Sequence, residues 1–287
     1  MENKDNLTDE TLPAENPQAQ QTSRLYKDSL FRTLFGDSKS FLELYNAVAD
    51  DHFPEDTEVT LCPPNSILAR YNDLAFRIGP QLIIFCEHQS TISTNMPLRL
   101  LRYLTDTLFS FLLDVNLLYG EKQITIPTPR FYVLYNGEQK LINRVLKLSD
   151  GFAIKESEPG LELIAKVVDI NIGSGEAALN RSKALYGYSF LIAEVRKNLQ
   201  SGMTRDLAIV TAIDFCIQQD VLADFLKEHY GEVSKMLNWE YDAEAEKKVL
   251  QQEAKQEGVE VLAELIKSGL SLEDALAKAK ALVAQSA

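Results

Sequence analysis

The feature that most constrains this chain is a predicted β-hairpin in its first third. Residues 74–78 and 82–86 are rich in β-forming side chains and flank Gly79-Pro80-Gln81, a turn composition. If the hairpin is centred on Pro80, the numbers of facing residues sum to 160, which places Asp73 opposite Glu87. Side chains that face each other directly have Cβ atoms about 5 Å apart. The hairpin therefore predicts two neighbouring carboxylates at its open end.

Two carboxylates this close repel each other unless a cation lies between them, and a hard divalent ion such as Mg²⁺ is the natural partner. Mn²⁺ is the alternative ion. Because side chains alternate along a strand, Gln89 shares a face with Glu87, whereas the His88 side chain points to the other face as a packed core residue. The backbone carbonyl of His88 can still reach a metal ion. The competing interpretation of Asp73 and Glu87 is an ordinary pair of surface carboxylates.

This carboxylate pair suits phosphodiester hydrolysis, which needs a polarised phosphoryl oxygen, a hydroxide source and a group that orients the attacking water. Asp73 and Glu87 can supply the first two through a metal ion. Gln89 can supply the third, because its amide both donates and accepts hydrogen bonds. The predicted catalytic set is therefore Asp73, Glu87 and Gln89.

The pattern of apolar residues around the hairpin predicts an α/β protein. Helices are predicted over 26–48, with a break at 36–38, over 96–117 and over 176–199, and further strands near 57–61 and over 130–135 and 163–172. Beyond Gly202 the pattern is entirely helical. It includes a solvated helix over 242–256 and a helical hairpin over 259–283, in which Gly269 ends one helix and a Ser271/Asp274 capping box begins the next.

Composition excludes several classes of protein. The net charge of −13 argues against nonspecific coating of nucleic acid, which depends on lysine and arginine contacts to phosphates. The three widely spaced cysteines form neither a disulfide framework nor a zinc motif. We find no GxSxG or GxxxxGK[ST] motif, no secretory leader and no apolar run of about 20 residues that would span a membrane. These observations predict a cytoplasmic protein without a membrane segment.

The residues around the hairpin also carry a family resemblance. They are Asn72-Asp73, Glu87-His88-Gln89-Ser90, Met96, Arg99-Leu100 and Tyr103, with Tyr26, Asp28 and Phe31 before them and the segments 132–137, 214–217 and 224–226 after them. Over residues 24–258 the chain resembles the PD-(D/E)XK nuclease family transposases, also called the recombination-promoting nuclease family. The resemblance implies a restriction-endonuclease-like αβββαβ core, magnesium-dependent DNA cleavage and a link to recombination or mobile elements.

One departure from the wider superfamily affects the expected activity, because Gln89 occupies the position usually held by lysine. At about 4 Å and an effective dielectric of 20, the missing charge corresponds to roughly 4 kcal/mol. Arg99 or Arg102 is a candidate to replace it, since both share a helical face with Tyr103 at i, i+3 and i+4 spacing. The alternatives for these arginines are packing over the core and pairing with Asp106.

Glu43 in the opening helix is a candidate additional acid, because nucleases of this superfamily sometimes place one there. A solvated helix face is the favoured alternative.

The predicted organisation is a disordered acidic tail (1–23), a PD-(D/E)XK core (24–175), a helical C-terminal region (176–258) and a helical hairpin tail (259–287). The predicted function is metal-dependent hydrolysis of DNA, with homo-oligomerisation through the C-terminal helices as a further expectation. Two alternatives stay open. The first is a catalytically weak DNA-binding or protein-interaction module, and the second is a helical structural protein for which the core is a scaffold.

Overall fold

The computed structural model describes residues 29–62, 73–112, 114–141, 144–174 and 177–286. The predicted tail over 1–23, together with Tyr26, Asp28 and Asn72, lies outside these residues. Two helices open the described chain, α1 (Leu30–Phe35) and α2 (Ser38–Ala49). The Asp37 carboxylate accepts hydrogen bonds from the Lys39 and Ser40 amides, both at 3.0 Å, and so caps α2. The predicted helix break at 36–38 is confirmed.

A six-stranded mixed sheet forms the centre of the fold. Its strands are β1 (Val59–Leu61), β2 (Asp73–Ile78), β3 (Leu82–Gln89), β4 (Thr128–Tyr135), β5 (Val145–Lys147) and β6 (Ile164–Asp169), in the order β1-β2-β3-β4-β6-β5. β1, β2 and β3 pair antiparallel, β3, β4 and β6 pair parallel, and β5 is antiparallel to β6. The predicted α/β class is confirmed, whereas β5 had no counterpart in the sequence prediction.

The connection from β3 to β4 contains α3 (Met96–Thr107), with Pro97 in its first turn as expected. The prediction of one helix over 96–117 is wrong beyond Thr107. The backbone widens into a π-helix over Leu108–Leu112, and a separate 3₁₀-helix spans Val115–Tyr119. Asp114 begins this second piece, because its carboxylate accepts from the Asn116 amide at 2.9 Å. Asp114 therefore caps a new helical turn instead of continuing the preceding helix.

Both faces of the sheet are covered, which explains why seven of the eight β3 residues are buried. On one face, α3 packs Met96 and Leu100 against Ile83, Phe85 and their neighbours on β4 and β6. On the other face, the Phe41 ring of α2 stacks on Phe76 at 4.0 Å. Alternate residues of β3 thus enter different layers.

Over the described residues 177–286, six helices follow the sheet: α4 (Ala177–Arg181), α5 (Lys183–Gln200), α6 (Arg205–Gln218), α7 (Ala223–Glu228), α8 (Tyr230–Lys267) and α9 (Leu272–Ser286). The single helix predicted over 176–199 is wrong, because Ser182 interrupts it and caps α5 by accepting from the Leu185 amide at 3.1 Å. The helix predicted over 242–256 is the middle of α8, which passes Gly258 without a break.

The chain forms two compact units, Met1–Met236 and Leu237–Ala287. In the second unit, Gly269 has a φ of 94° after α8, and the Ser271 hydroxyl accepts from the Asp274 amide at 3.2 Å to begin α9. The predicted stop and cap are confirmed. Ser271 also donates its hydroxyl proton to the Asp274 carboxylate at 2.6 Å, so the reciprocal contact runs side chain to side chain. Within the described part of the chain, no helix combines the length and the apolar composition needed to cross a lipid bilayer.

Candidate active site

The hairpin register is the one that the sequence predicts. Gly79 turns the chain with a φ of 50°, and the pairing runs from Ile78 opposite Leu82 to Asp73 opposite Glu87. Gly79 suits this turn because it adopts a positive φ without steric cost. The backbone of Asp73 is therefore where the prediction placed it, and its side chain lies outside the description.

Glu87 lies on the α3 face of the sheet and is buried, with 4% of its surface exposed. Its Oε1 atom accepts a hydrogen bond from Gln89 Nε2 at 3.0 Å and lies 2.7 Å from Arg99 Nη2. The prediction that Gln89 shares a face with Glu87 is confirmed. The Gln89 Oε1 atom in turn accepts from the Ser93 amide at 3.4 Å, which links this strand end to the loop before α3.

Arg99 contacts the site through the first turn of α3. Its Nη2 atom, besides meeting Glu87, donates to the Tyr103 hydroxyl at 3.1 Å, and its Cζ lies 5.9 Å from the Tyr103 ring centroid. Arg102 instead lies 3.7 Å from Asp106 and is 62% exposed. The two arginines therefore differ: pairing with Asp106 holds for Arg102 but not for Arg99. We refer to Glu87, Gln89, Arg99 and Tyr103 as the Glu87 cluster.

His88 points to the opposite face, as predicted, and its side chain is buried. Its Nε2 lies 2.9 Å from the Tyr188 hydroxyl of α5, and the Phe31 ring of α1 stacks on it at 4.8 Å. Burial lowers the pKa of His88 to about 3, with a smaller contribution from the Arg196 charge. The imidazole is thus a neutral core group, while ligation through the His88 carbonyl stays a prediction.

Glu43 lies away from the Glu87 cluster, on the other side of the sheet. It belongs to α2, which covers the His88 face, and its Oε1 accepts from the Ser182 hydroxyl at 2.8 Å. With Arg181 and Lys183 it also lines an open cleft beside α5. A carboxylate next to the first turn of α5 is favoured by the helix dipole, so a local structural role explains Glu43.

Sequence reasoning missed a group of polar residues at the same edge of the sheet. The parallel register aligns Gln89, Tyr135 and Asp169 at the ends of β3, β4 and β6. Asp169 Oδ1 accepts from the Asn171 amide at 3.0 Å, and Asn171 Oδ1 accepts from Arg196 at 3.0 Å. The sequence signal was Asp169, an acid within the strand predicted over 163–172, but its position at this edge depends on the parallel pairing of β4 and β6. Carboxyl ends of parallel strands meet at one edge, where α/β proteins commonly bind ligands.

Among the described side chains, Glu87 offers carboxylate oxygens and Gln89 an amide oxygen to a cation at this edge, and the backbone of Asp73 pairs opposite Glu87. Oxygen donors are the ligands that Mg²⁺ prefers. The side chains that the structure describes contain no group of three His, Cys, Asp or Glu residues able to hold a metal ion. Comparison of the chain with family models, curated proteins and solved structures gives no match.

Proposed function

We propose that the chain is a metal-dependent DNA endonuclease of the PD-(D/E)XK type, linked to recombination or mobile elements, with Mg²⁺ as its ion and Mn²⁺ as a substitute. The observation that carries the proposal is the pairing of Asp73 with Glu87 across the hairpin. The element order α2, β1, β2, β3, α3, β4 supports it as well, because αβββαβ is the order that the resemblance implies. A restriction-endonuclease-like core is part of the same proposal.

In the proposed reaction, the carboxylates of Asp73 and Glu87 would hold the ion. Bound there, Mg²⁺ would supply Lewis-acid polarisation of the phosphoryl oxygen and lower the pKa of a water. Gln89 orients the attacking water, since its amide is already held at the site by its contacts to Glu87 and Ser93. Arg99 and Tyr103 contact the DNA phosphate from α3, and Arg102 adds an exposed positive charge on the same helix.

A second candidate function is a catalytically weak DNA-binding or protein-interaction module. The observation that favours it is the ion pair between Glu87 and Arg99, which neutralises the buried carboxylate without a metal ion. Gln89 also brings no positive charge to the position where the wider superfamily places lysine. In this alternative the Glu87 cluster is a polar network that rigidifies the end of β3.

Nicking of supercoiled plasmid by the full chain separates the two functions. With Mg²⁺ or Mn²⁺ we expect nicking that EDTA abolishes and that Asp73→Asn and Glu87→Gln reduce by at least about 100-fold, a typical loss for a group that acts in the transition state. Glu121→Gln, an exposed acid in the loop before β4, is the matched control and retains full activity.

Two results would contradict the endonuclease. Absence of nicking at every metal concentration, with DNA retardation retained in a gel, supports the module. Nicking that persists in Asp73→Asn shows that the proposed ligands do not carry the reaction.

A further inference from the structure

The Glu87–Arg99 ion pair places a positive charge beside a carboxylate that is proposed to bind a metal ion. Glu87 Oε1 already receives two donors, Gln89 Nε2 at 3.0 Å and Arg99 Nη2 at 2.7 Å. A dication bound by either oxygen of this carboxylate would lie within about 5 Å of the guanidinium, close enough for the two positive charges to repel each other. Arg99 is the donor that a dication displaces, because the guanidinium and the ion repel each other whereas the Gln89 amide is neutral.

We propose that Arg99 is an exchangeable counter-ion: it neutralises Glu87 in the metal-free protein, leaves when a divalent cation binds, and then contacts the substrate phosphate. This inference rests on the proposed function and adds to the proposed reaction a step in which Arg99 moves from Glu87 to the substrate phosphate. It gives the buried Glu87 carboxylate a positively charged partner before the metal arrives.

The surroundings of Arg99 permit this exchange. Its side chain is 28% exposed, so part of it is accessible to solvent. The Tyr103 hydroxyl holds the same Nη2 atom at 3.1 Å, which gives Arg99 a second partner one helical turn along α3 when it leaves Glu87. A guanidinium binds phosphate through two parallel hydrogen bonds, and its charge replaces the one that Gln89 lacks.

Mn²⁺ binding without DNA, followed by the electron paramagnetic resonance signal of the free ion, tests the first step. Arg99→Gln removes the competing charge, and we expect its Mn²⁺ affinity to rise about tenfold, since a like charge about 5 Å from a dication has an effect of this order when solvent screens it with a dielectric of about 80. Arg99→Lys keeps the charge and stays within about threefold of the wild type.

Arg181→Gln is the matched control, because Arg181 is also partly exposed, at 35%, and forms an ion pair of 2.8 Å with Asp50 away from the Glu87 cluster. Its Mn²⁺ affinity remains that of the wild type. A circular dichroism spectrum and a melting temperature accompany each variant, and only variants with the wild-type spectrum are compared.

A Mg²⁺ titration monitored at the arginine Nε–Hε resonances gives a readout that does not depend on substitution. We expect the Arg99 signal to shift with the midpoint of metal binding and the Arg181 signal to stay in place. An Arg99 signal unchanged at saturation, or an Arg99→Gln affinity equal to or below that of the wild type, overturns the counter-ion exchange while leaving the endonuclease intact. Wild-type protein that binds no Mn²⁺ overturns both.

Discussion

The ion pair between Glu87 and Arg99 is expected to stabilise the fold measurably, whatever its role in chemistry. At a nitrogen–oxygen distance of 2.7 Å the charge centres lie about 4 Å apart, which corresponds to roughly 4 kcal/mol at an effective dielectric of 20. The side chains of Arg99 and Glu87 are 28% and 5% exposed, so part of this energy offsets the desolvation of the carboxylate. We expect a coupling free energy of about 2 kcal/mol.

A double-mutant cycle with Glu87→Gln and Arg99→Gln measures this coupling. Arg99→Gln removes the Arg99 charge from beside a buried carboxylate and is expected to cost about 3 kcal/mol, while Glu87→Gln costs about 2, because Arg99 can turn toward water. The double variant should also lose about 3 kcal/mol, which is about 2 less than the two single losses together.

Urea unfolding at pH 7.5, followed by the near-ultraviolet circular dichroism of the buried tyrosines, provides the free energies. The Asp50–Arg181 pair is the control cycle: its contact is 2.8 Å, but Asp50 is 68% exposed, so its coupling should stay below about 0.5 kcal/mol. A coupling at Glu87–Arg99 no larger than that of the control would refute the inference that burial strengthens this pair.

Two further perturbations probe the surroundings of β3. His88 has a pKa of about 3 in the fold against 6.5 when solvated, so its contribution to stability is complete above pH 6.5 and is lost progressively as the pH falls toward 3. Between pH 7 and pH 5 this loss is about 2 kcal/mol. In urea titrations, His88→Phe should abolish this pH dependence, whereas the exposed His52→Gln should leave it unchanged. Gly137→Ala is expected to lower the unfolding free energy by about 2 kcal/mol, because the new Cβ would lie 2.5 Å from Tyr135 Cε2 and closer still to the Ser90 carbonyl. An unchanged urea midpoint for Gly137→Ala would contradict this close approach.

Sequence patterns predicted the features that depend on neighbours along the chain. The register of the hairpin follows from Gly79 and from the alternation of side chains on β2 and β3, and the outcome is the pairing of Asp73 with Glu87. The same alternation separates Glu87 from His88. The helix break at 36–38 and the cap at Ser271 are also local, because Asp37 and Ser271 accept from amides two or three residues ahead.

Contacts between distant segments could not be predicted from local sequence patterns. The spacing of Arg99 and Tyr103 gave their shared face, but the contact with Glu87 depends on where α3 packs on the sheet. Asp169 lies at the same sheet edge as Gln89 because β4 and β6 pair in parallel. The apolar periodicity over 176–199 continued through Ser182 and therefore concealed the break that this residue makes as a cap. The three residues of β5 are too few to produce a periodic signal.

All members of the Glu87 cluster come from one strand–loop–helix segment, residues 87–103, whereas the strands that complete the sheet beyond β3 come after the exposed stretch 116–123. The polar groups and the framework that dehydrates them therefore belong to different stretches of polypeptide. A nascent chain that ended before β4 would hold every charge of the cluster and yet leave it in water, where an ion pair contributes little. Electrostatic strength at this position thus arises only when the later half of the chain has folded against it.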